Sequence, residues 1–395
     1  MARIGIYGGS FDPPHIGHLM AAEYFAQAVQ PDQLLWMPCY QSPGREADTY
    51  CAEPQQRLQM LTLMTEHKPA WQVCPWEIHR AETSFTALTL ERMRAEYPND
   101  QLYLCVGTDT FLKVHQWRSA ENFLPGLHLT VLRRSKKEDE NALQEQQLRL
   151  TQMGAEVTLL DNPVVDISST DIRRMLAFQC AGEHLVPKVE DYIRQNGLYG
   201  TDQDLRGLPM EQLEQVVTSL VKKNRVRHIL GCRDTAVQMA KRWGANEEAA
   251  ARAGLLHDIT KALDGPLQLT LCRSYDILLD EFSIQNPKTL HAMTGALVAQ
   301  RIFGESEEVV SAICSHTTGK ANMNTLEKII YVADYMEPNR SFDGVERLRE
   351  LAFSDLDGAL KLGLEMTLAV LKSEGKTIAS QSQEALAYLN RRPIP

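Results

Sequence analysis

The sequence is short of the features that mark several large classes of protein. Its eight cysteines, at 39, 51, 74, 105, 180, 232, 272 and 314, include no C-x-x-C pair, so no disulfide framework or paired-cysteine zinc ribbon is spelled out. Several sit in apolar runs, such as Cys105 in LYLCVG, the pattern of buried free thiols in a reducing cytoplasm. No apolar run approaches the roughly 18 residues of a membrane span, and the opening MARIGIYGGSFD is too short an apolar stretch for a secretory signal. A cytoplasmic protein with no membrane partner is expected. Positive charge is also scarce: 41 Lys and Arg stand against 51 Asp and Glu, a net charge of −10. Binding duplex nucleic acid takes a surplus of cations, so that partner is excluded, whereas a small anionic substrate needs only a local cluster of donors. Internal repeats and low-complexity tracts are absent too.

What is present is enough for two cores. The chain has 395 residues, 44% of them apolar, and one hydrophobic core rarely grows that large. Strand-like apolar runs at Arg3–Tyr7, Gln33–Met37, Leu102–Val106, Leu127–Leu132 and Glu156–Leu160 alternate with helical patterns, which predicts an α/β domain on a parallel sheet. Its last helix, VEDYIRQNG, ends at a glycine suited to a C-cap. The stretch Leu198–Pro209 (LYGTDQDLRGLP) is polar, Gly-rich and without periodicity. The expected division is therefore residues 1–200, a linker at 201–209, and residues 210–395. From Met210 onward the patterns are helical, including a capping box at Asn324 and Glu327, so the second domain is expected to be all-α.

Two segments of the first half can hold an anion. In Ile4-Gly-Ile-Tyr-Gly8-Gly9-Ser10-Phe11-Asp-Pro-Pro-His15-Ile-Gly-His18 a strand runs into a Gly-Gly turn and then a helix start. Glycines let backbone N–H groups approach phosphate, and a helix N-terminus favours negative charge. Two histidines three apart can donate to one triphosphate. Far along the chain, Ile167-Ser168-Ser169-Thr170-Asp171-Ile172-Arg173 places hydroxyl caps and an Arg at another helix start.

These residues resemble the nucleotidylyltransferase superfamily, and more narrowly the bacterial nicotinate-mononucleotide adenylyltransferases. The likeness covers about residues 3–199 through GGSFDPPHIGHL, Thr83-Ser-Phe-Thr86-Ala-Leu-Thr-Leu, Gly107-Thr-Asp109-Thr-Phe-Leu with Trp117, ISSTDIR and V-x-x-Y-I-x-x-x-x-L-Y. It implies a Rossmann-like sheet and a reaction of ATP with nicotinate mononucleotide that yields deamido-NAD and pyrophosphate, with Mg²⁺ screening charge. Carried over, Gly8, Gly9, Ser10 and Phe11 form the nucleotide loop. His15 and His18 meet the ATP phosphates, and Ser169, Thr170 and Arg173 meet the β- and γ-phosphates; His15, His18 and Arg173 are the catalytic set. Arg45, Thr86, Asp109, Trp117 and Arg118 bind the mononucleotide, with Trp117 stacking on the pyridine and the surroundings of Thr86 and Arg118 reading its carboxylate. One segment departs from the pattern. Where the family reads Pro-Asn-x-x-Pro-Pro-His-Lys/Arg, this chain reads Pro38-Cys39-Tyr40-Gln41-Ser42-Pro43-Gly44-Arg45, keeping the cation and replacing the Asn and the His.

The second half holds His228, the adjacent pair His257-Asp258, His291, His316 and Asp334, each at or near a helical pattern. Imidazole with carboxylate suits first-row metals better than Ca²⁺, and a bundle with inward ligands can hold two ions bridged by one carboxylate. A His-Asp pair among Leu255, Leu256 and Ile259 is the more specific signal, because a carboxylate in an apolar run needs a partner.

The ligand order resembles the HD-superfamily phosphohydrolases, and SHTTG (315–319) and LEKIIYVADYMEPNR (326–340) are similar to the bacterial branch that splits diadenosine tetraphosphate symmetrically. The resemblance implies a helical HD bundle in which His228, His257, Asp258 and Asp334 bind one metal. Asp258 bridges to a second ion on His291 and His316 and counts as catalytic. Fe²⁺ is favoured, with Mn²⁺, Co²⁺ and Zn²⁺ as alternatives. Lys261, Thr317, Thr318, Gly319, Lys320 and Arg340 are candidate phosphate contacts. The ligand pattern alone leaves open a general nucleotide phosphatase or nucleotidase, or a nucleotide-binding regulatory module. A homo-oligomer is left open as well.

Overall fold

The computed structural model describes residues 1–44, 50–134 and 138–391, and the chain divides into two compact units, Met1–Gln203 and Asp204–Pro395. The first begins β1 (Arg3–Gly9), α1 (Ile16–Val29), β2 (Gln33–Pro38), α2 (Pro54–Thr65), β3 (Trp71–Val73), α3 (Trp76–Arg80) and α4 (Thr86–Glu96). It continues β4 (Gln101–Gly107), α5 (Thr108–Phe111), α6 (Ala120–Phe123), β5 (His128–Leu132), α7 (Glu140–Gln152), β6 (Glu156–Leu159), α8 (Ser169–Ala177) and α9 (Pro187–Gln195). The strands form one sheet in the order β3-β2-β1-β4-β5-β6, every neighbouring pair parallel.

This is a Rossmann-like, doubly wound sheet. Its inner strands are covered on both faces, which is why β2 reads as a continuous apolar run with Leu34, Leu35, Trp36 and Met37 all buried. Strand β3 was not expected from the sequence, since three residues are too few to display alternation; its pairing of Leu34 with Trp71 defines it. The order of connection reverses between β1 and β4, and in open parallel sheets such a switch point leaves a crevice at the carboxyl ends of the strands. The Gly8–His15 loop leaves β1 there, and Gly107 ends β4 there.

Helix α9 stops with Gly197 at φ 59, the left-handed position expected of it. The stretch beyond is less slack than a linker. Leu198 is buried and the Tyr199 hydroxyl donates to Asp12 within the first unit, while Arg252 donates to the Leu208 carbonyl at 2.9 Å within the second. The expected linker at 201–209 is thus divided, its end held to the second unit. Among the cysteines Cys39, Cys105, Cys180, Cys232 and Cys272 are buried, but Cys51 and Cys314 are exposed.

The second unit is helical: α10 (Met210–Leu220), α11 (Val226–Trp243), α12 (Glu247–Leu256), α13 (Gly265–Ser274), α14 (Glu281–Gln285) and α15 (His291–Arg301), then α16 (Glu307–Ser315), α17 (Thr325–Met336), α18 (Val345–Ser354), α19 (Leu356–Ser373) and α20 (Ser380–Arg391). Among the described residues it contains no strand. The capping box is formed as expected, with Asn324 accepting from the Glu327 amide at 2.9 Å and Glu327 accepting from the Asn324 amide at 2.8 Å. Among the described residues no helix is long and apolar enough to cross a membrane.

Strand β1 packs closely against α1 at Gly5. A β-carbon on Gly5 would stand 2.7 Å from Phe25 Cε1 and 3.1 Å from Leu34 Cδ1, both on buried side chains. Gly5→Ala is expected to destabilise the first unit by about 1–3 kcal/mol. Urea unfolding followed by tryptophan fluorescence reads this unit mainly, because Trp36, Trp71, Trp76 and Trp117 lie in it and only Trp243 lies outside. An unchanged midpoint would mean the helix can step back freely.

Candidate functional site

In the first unit the site grows from the β1 loop. Gly8 is exposed and open, whereas a β-carbon on Gly9 would meet the Phe11 ring at 2.9 Å. Phe11 turns inward: it is 1% exposed, takes φ 49, and packs edge-on against Tyr7 and His18. Of the four loop residues expected to meet nucleotide, Phe11 can therefore offer only backbone. Three carbonyls of the loop are tied from behind. Arg57 donates to Ser10 O at 2.8 Å, Arg173 to Asp12 O at 2.5 Å and the Ser169 hydroxyl to Pro13 O at 2.9 Å. Ser169 and Arg173, distant in sequence, are thus brought to the loop, and here they brace it. Arg173 also donates to Thr170 at 3.0 Å.

His15 caps α1, and its backbone N–H donates to His18 Nδ1 at 3.2 Å. An accepting Nδ1 in a neutral ring leaves the proton on Nε2. The ring is neutral because burial, then His15 and then Arg134, hold its pKa well below the ordinary value. His15 is pushed down to about 3 by burial first and then by Arg134 and His184. Both rings line an open cleft of about 490 Å³, together with Gly107, Arg133, Arg134 and Asn162.

Thr86, Asp109, Trp117 and Arg118 are not among the residues lining that cleft. Thr86 opens α4, and Arg118 lies over the neighbouring Phe85 ring at 5.0 Å. Trp117 is half-buried against Phe123, and Asp109 is exposed in the first turn of α5. The loop after β2 joins them: Tyr40 N–H donates to Ser84 Oγ at 3.0 Å and Ser84 N–H to Gln41 O at 2.8 Å. Arg45 lies outside the described residues.

The second unit gathers all six expected ligands. His228 comes from α11, His257-Asp258 from the end of α12, His291 from the start of α15, His316 from the end of α16 and Asp334 from α17. In three of the rings Nδ1 faces the carbonyl three residues back: His257 to Gly254 at 2.8 Å, His291 to Lys288 at 2.7 Å, His316 to Ile313 at 2.7 Å. His228 Nδ1 instead faces the buried Glu337 carboxylate at 3.1 Å. In the three rings that face carbonyls, the oxygen partner assigns the proton to Nδ1 and leaves Nε2 with a bare lone pair. Burial, the leading cause in each case, keeps His257 and His291 well below the ordinary pKa and brings His316 to about 4.

Those lone pairs converge. His228 and His257 face each other, Nε2 to Nε2, at 3.2 Å. Asp258 Oδ2 lies 3.7 Å from His228 and 3.6 Å from His257, and Oδ1 lies 3.4 Å from His291 and 3.6 Å from His316. Neither oxygen takes a well-formed hydrogen bond. Asp334 Oδ1 adds to the first pair, 3.1 Å from His228 and 3.7 Å from His257. Bare imidazole nitrogens around buried carboxylates form the donor set of a divalent-metal centre, so these residues fit such ions.

Of the expected phosphate contacts, three touch this cluster. Lys261 Nζ lies 2.8 Å from His291 Nε2, Thr317 Oγ1 3.1 Å from both His291 and His316, and Arg340 donates to Asp334 at 2.7 Å. Burial lowers Lys261 to about 8. Three others are engaged elsewhere. Lys320 is drawn off to the buried Glu327 at 2.7 Å, Thr318 holds the carbonyl of Gly319, and Gly319 turns at φ 65 beneath Ala385 and Leu364.

The comparisons with known proteins fall on the same two halves. Residues 6–175 match the family described as Cytidylyltransferase-like and residues 225–339 match the HD domain. A probable nicotinate-nucleotide adenylyltransferase of Caldicellulosiruptor saccharolyticus is 33% identical over 50% of this chain and 98% of its own length. A symmetrical bis(5′-nucleosyl)-tetraphosphatase of Halalkalibacterium halodurans is 38% identical over 42% of this chain and 88% of its own. The chain belongs to both families, one in each half. A Mycoplasma pneumoniae protein described as a probable nicotinate-nucleotide adenylyltransferase/Ap4A hydrolase is similar throughout, 26% identical over 93% of this chain and 98% of its own.

Sequence reasoning missed the supports of both sites. In the adenylyltransferase half Asp12, within the quoted GGSFDPPH, accepts from Cys51 N, Ala52 N and the Tyr199 hydroxyl and stands 3.7 Å from Arg173. Arg57 carried no motif. In the tetraphosphatase half Glu337 lay inside a quoted block, and Arg225, one helical turn before His228, presses its guanidinium on Asp258 Oδ2.

Two outcomes follow from the proton placements. A folded His15 takes its proton near pH 3 and an unfolded one near 6.5. Between those values the unfolded chain binds the extra proton, so stability of the first unit falls as pH falls. His15→Gln is expected to flatten that acid loss, read as the first unit's melting temperature from pH 7 to 4; an unaltered slope would mean the ring protonates freely when folded. Glu337→Gln keeps an acceptor for His228 but removes its charge, and should weaken metal binding about 10–100-fold. Chelator competition on the purified protein measures this, and unchanged affinity would reduce Glu337 to packing.

Proposed function

We propose that the chain is a bifunctional enzyme of adenine nucleotides. Its first half joins ATP to nicotinate mononucleotide, giving deamido-NAD and pyrophosphate; its second hydrolyses diadenosine tetraphosphate symmetrically to two ADP. The observation that carries this reading is the opposite proton placement on the histidines of the two halves. Nε2–H suits phosphate oxygen in the cleft, and bare Nε2 suits metal around Asp258.

In the transferase reaction the mononucleotide's phosphate oxygen attacks the ATP α-phosphorus and the bond to pyrophosphate breaks, without a protein nucleophile. Catalysis is alignment and charge stabilisation. His18 donates through Nε2–H beside His15, the nucleotide loop from Gly8 to Phe11 takes the phosphates, and Thr170 and Arg173 approach from α8. The cleft's imidazole and guanidinium donors do not suit Mg²⁺, which prefers oxygen, so Mg²⁺ enters with the triphosphate and screens its charge. Trp117 offers a ring face to the pyridine, while the N-terminus of α4 at Thr86 and the Arg118 guanidinium suit its carboxylate.

In the hydrolase reaction water adds at a phosphorus of the tetraphosphate and the bridging bond between its second and third phosphates breaks, leaving two ADP. His228, His257, Asp258 and Asp334 hold one first-row divalent ion, and Asp258, His291 and His316 hold another, Fe²⁺ favoured over Mn²⁺, Co²⁺ and Zn²⁺. Such ions supply Lewis acidity and hydroxide at neutral pH. Lys261, Thr317 and Arg340 stand beside the ligands to bind phosphate oxygens. On this reading both reactions take place in the cytoplasm, which the free cysteines support.

Crossed variants of the full chain test both assignments. His18→Ala should lower deamido-NAD synthesis by roughly 10²–10³ and leave tetraphosphate hydrolysis intact. Asp258→Ala should abolish hydrolysis and metal content together and leave synthesis intact, while Asp234→Ala, in an ion pair with Arg233, changes neither. Product chromatography with metal analysis reads all three. Metal-independent hydrolysis would overturn the metal mechanism, and metal without hydrolysis of any nucleotide would make this half a sensor. Equal turnover of nicotinate and nicotinamide mononucleotides would remove the substrate assignment.

A further inference from the structure

The β1–β2 ladder ends at the pairing of Gly9 with Pro38, and its last bond is Cys39 N–H to Gly9 O at 3.0 Å. Beyond it the two strands feed the nucleotide loop and the loop that departs from the family pattern. Among the described residues no further ladder bond follows; side chains link the loops instead, Cys39 Sγ to Ser10 Oγ at 3.8 Å, Asp12 to the Cys51 and Ala52 amides, and Arg57 to carbonyls of both. Arg57, in the first turn of α2, is 0% exposed. Its Nη1 donates to Ser10 O at 2.8 Å in the first loop and to Cys39 O at 2.7 Å in the second, and Nη2 donates to Tyr40 O at 2.9 Å. The guanidinium lies over the Tyr50 ring at 4.7 Å, and the Tyr50 hydroxyl accepts from Ser42 N at 2.8 Å. From Tyr40 and Gln41 the connection runs on to Ser84, two residues before Thr86.

A guanidinium is always charged and its donors form a rigid planar fork, so its placement dictates where the carbonyls sit. Burying it is costly unless every contact is retained. We propose that Arg57 is the positioning residue that locks the two substrate loops into register, so that the mononucleotide phosphate and the ATP α-phosphorus meet in line. The proposal rests on the adenylyltransferase reading given above. Arg57 touches neither substrate, because it is fully buried, with its edge taken by the loop carbonyls and a face covered by Tyr50. It acts on the distance between two bound molecules rather than on the binding of either. That separates it from a merely structural residue, whose loss would weaken binding and stability together.

The test uses the full chain. In Arg57→Lys the charge remains and the fork is lost. The dissociation constants of ATP and of nicotinate mononucleotide, each measured alone by calorimetry, should stay within about threefold, while kcat for deamido-NAD falls about 100-fold, the scale of a misplacement of about 1 Å. Retained kcat, or a loss matched by equal weakening of both single affinities, overturns the proposal. Should Arg57→Lys lose its fold, Tyr50→Leu is compared with Tyr50→Phe, which keeps the ring under the guanidinium. The leucine variant should show the larger fall in kcat at unchanged single affinities, and equal kcat in the two overturns the proposal. A wild-type chain that makes no deamido-NAD overturns the adenylyltransferase reading itself, a result distinguishable from failure of either variant.

Discussion

A neutral imidazole carries one proton, and wherever that proton is committed, the other nitrogen is left with the opposite character. Both sites of this chain are arranged by that constraint. In the cleft His18 spends its Nδ1 lone pair on the His15 amide and turns an N–H outward. In the bundle three rings spend their Nδ1 protons on carbonyls three residues back and turn lone pairs inward, while His228 faces a carboxylate from each nitrogen. One kind of side chain thus turns a donor outward in one half and acceptors inward in the other. Burial supports both uses, because it keeps His15, His18, His257, His291 and His316 unprotonated.

The backbone of the nucleotide loop obeys a related constraint. A peptide unit cannot turn N–H to phosphate unless its carbonyl is satisfied on the other side. Arg57, Arg173 and Ser169 supply those donors for Ser10, Asp12 and Pro13. The Asp12 carboxylate adds a second layer, linking the segment at Cys51–Ala52, helix α8 and Tyr199. The sheet order then matters for chemistry as well as packing, since only adjacent β1 and β2 bring both loops within the span of one guanidinium.

In the metal centre the two carboxylates divide the labour by position. Asp258 is buried, with one oxygen toward each histidine pair, whereas Asp334 serves only the pair His228 and His257 and is shared with Arg340. Gly231 permits this: a β-carbon there would meet Glu337 Oε2 at 2.4 Å, so the carboxylate that orients His228 has room only beside a glycine.

Much of this was legible in the residues. Apolar runs and their spacing determined a parallel α/β half and a helical half, because burial on both faces of a strand or on one face of a helix leaves a period in the sequence. Glycines and histidines ahead of α1, the Ser-Thr start of α8 and the His-Asp pair in an apolar run announced chemistry for the same local reason. What the sequence could not carry was anything decided between distant segments. Strand β3 exists only through its neighbour, and Phe11 faces the core rather than the cleft because Gly9 lets it fold back. Lys320 goes to Glu327 because that carboxylate is buried beside it. Arg57 reads as one polar residue of an ordinary helix; only the tertiary structure closes two loops around it, since a buried charge takes its partners from whatever the fold brings within reach.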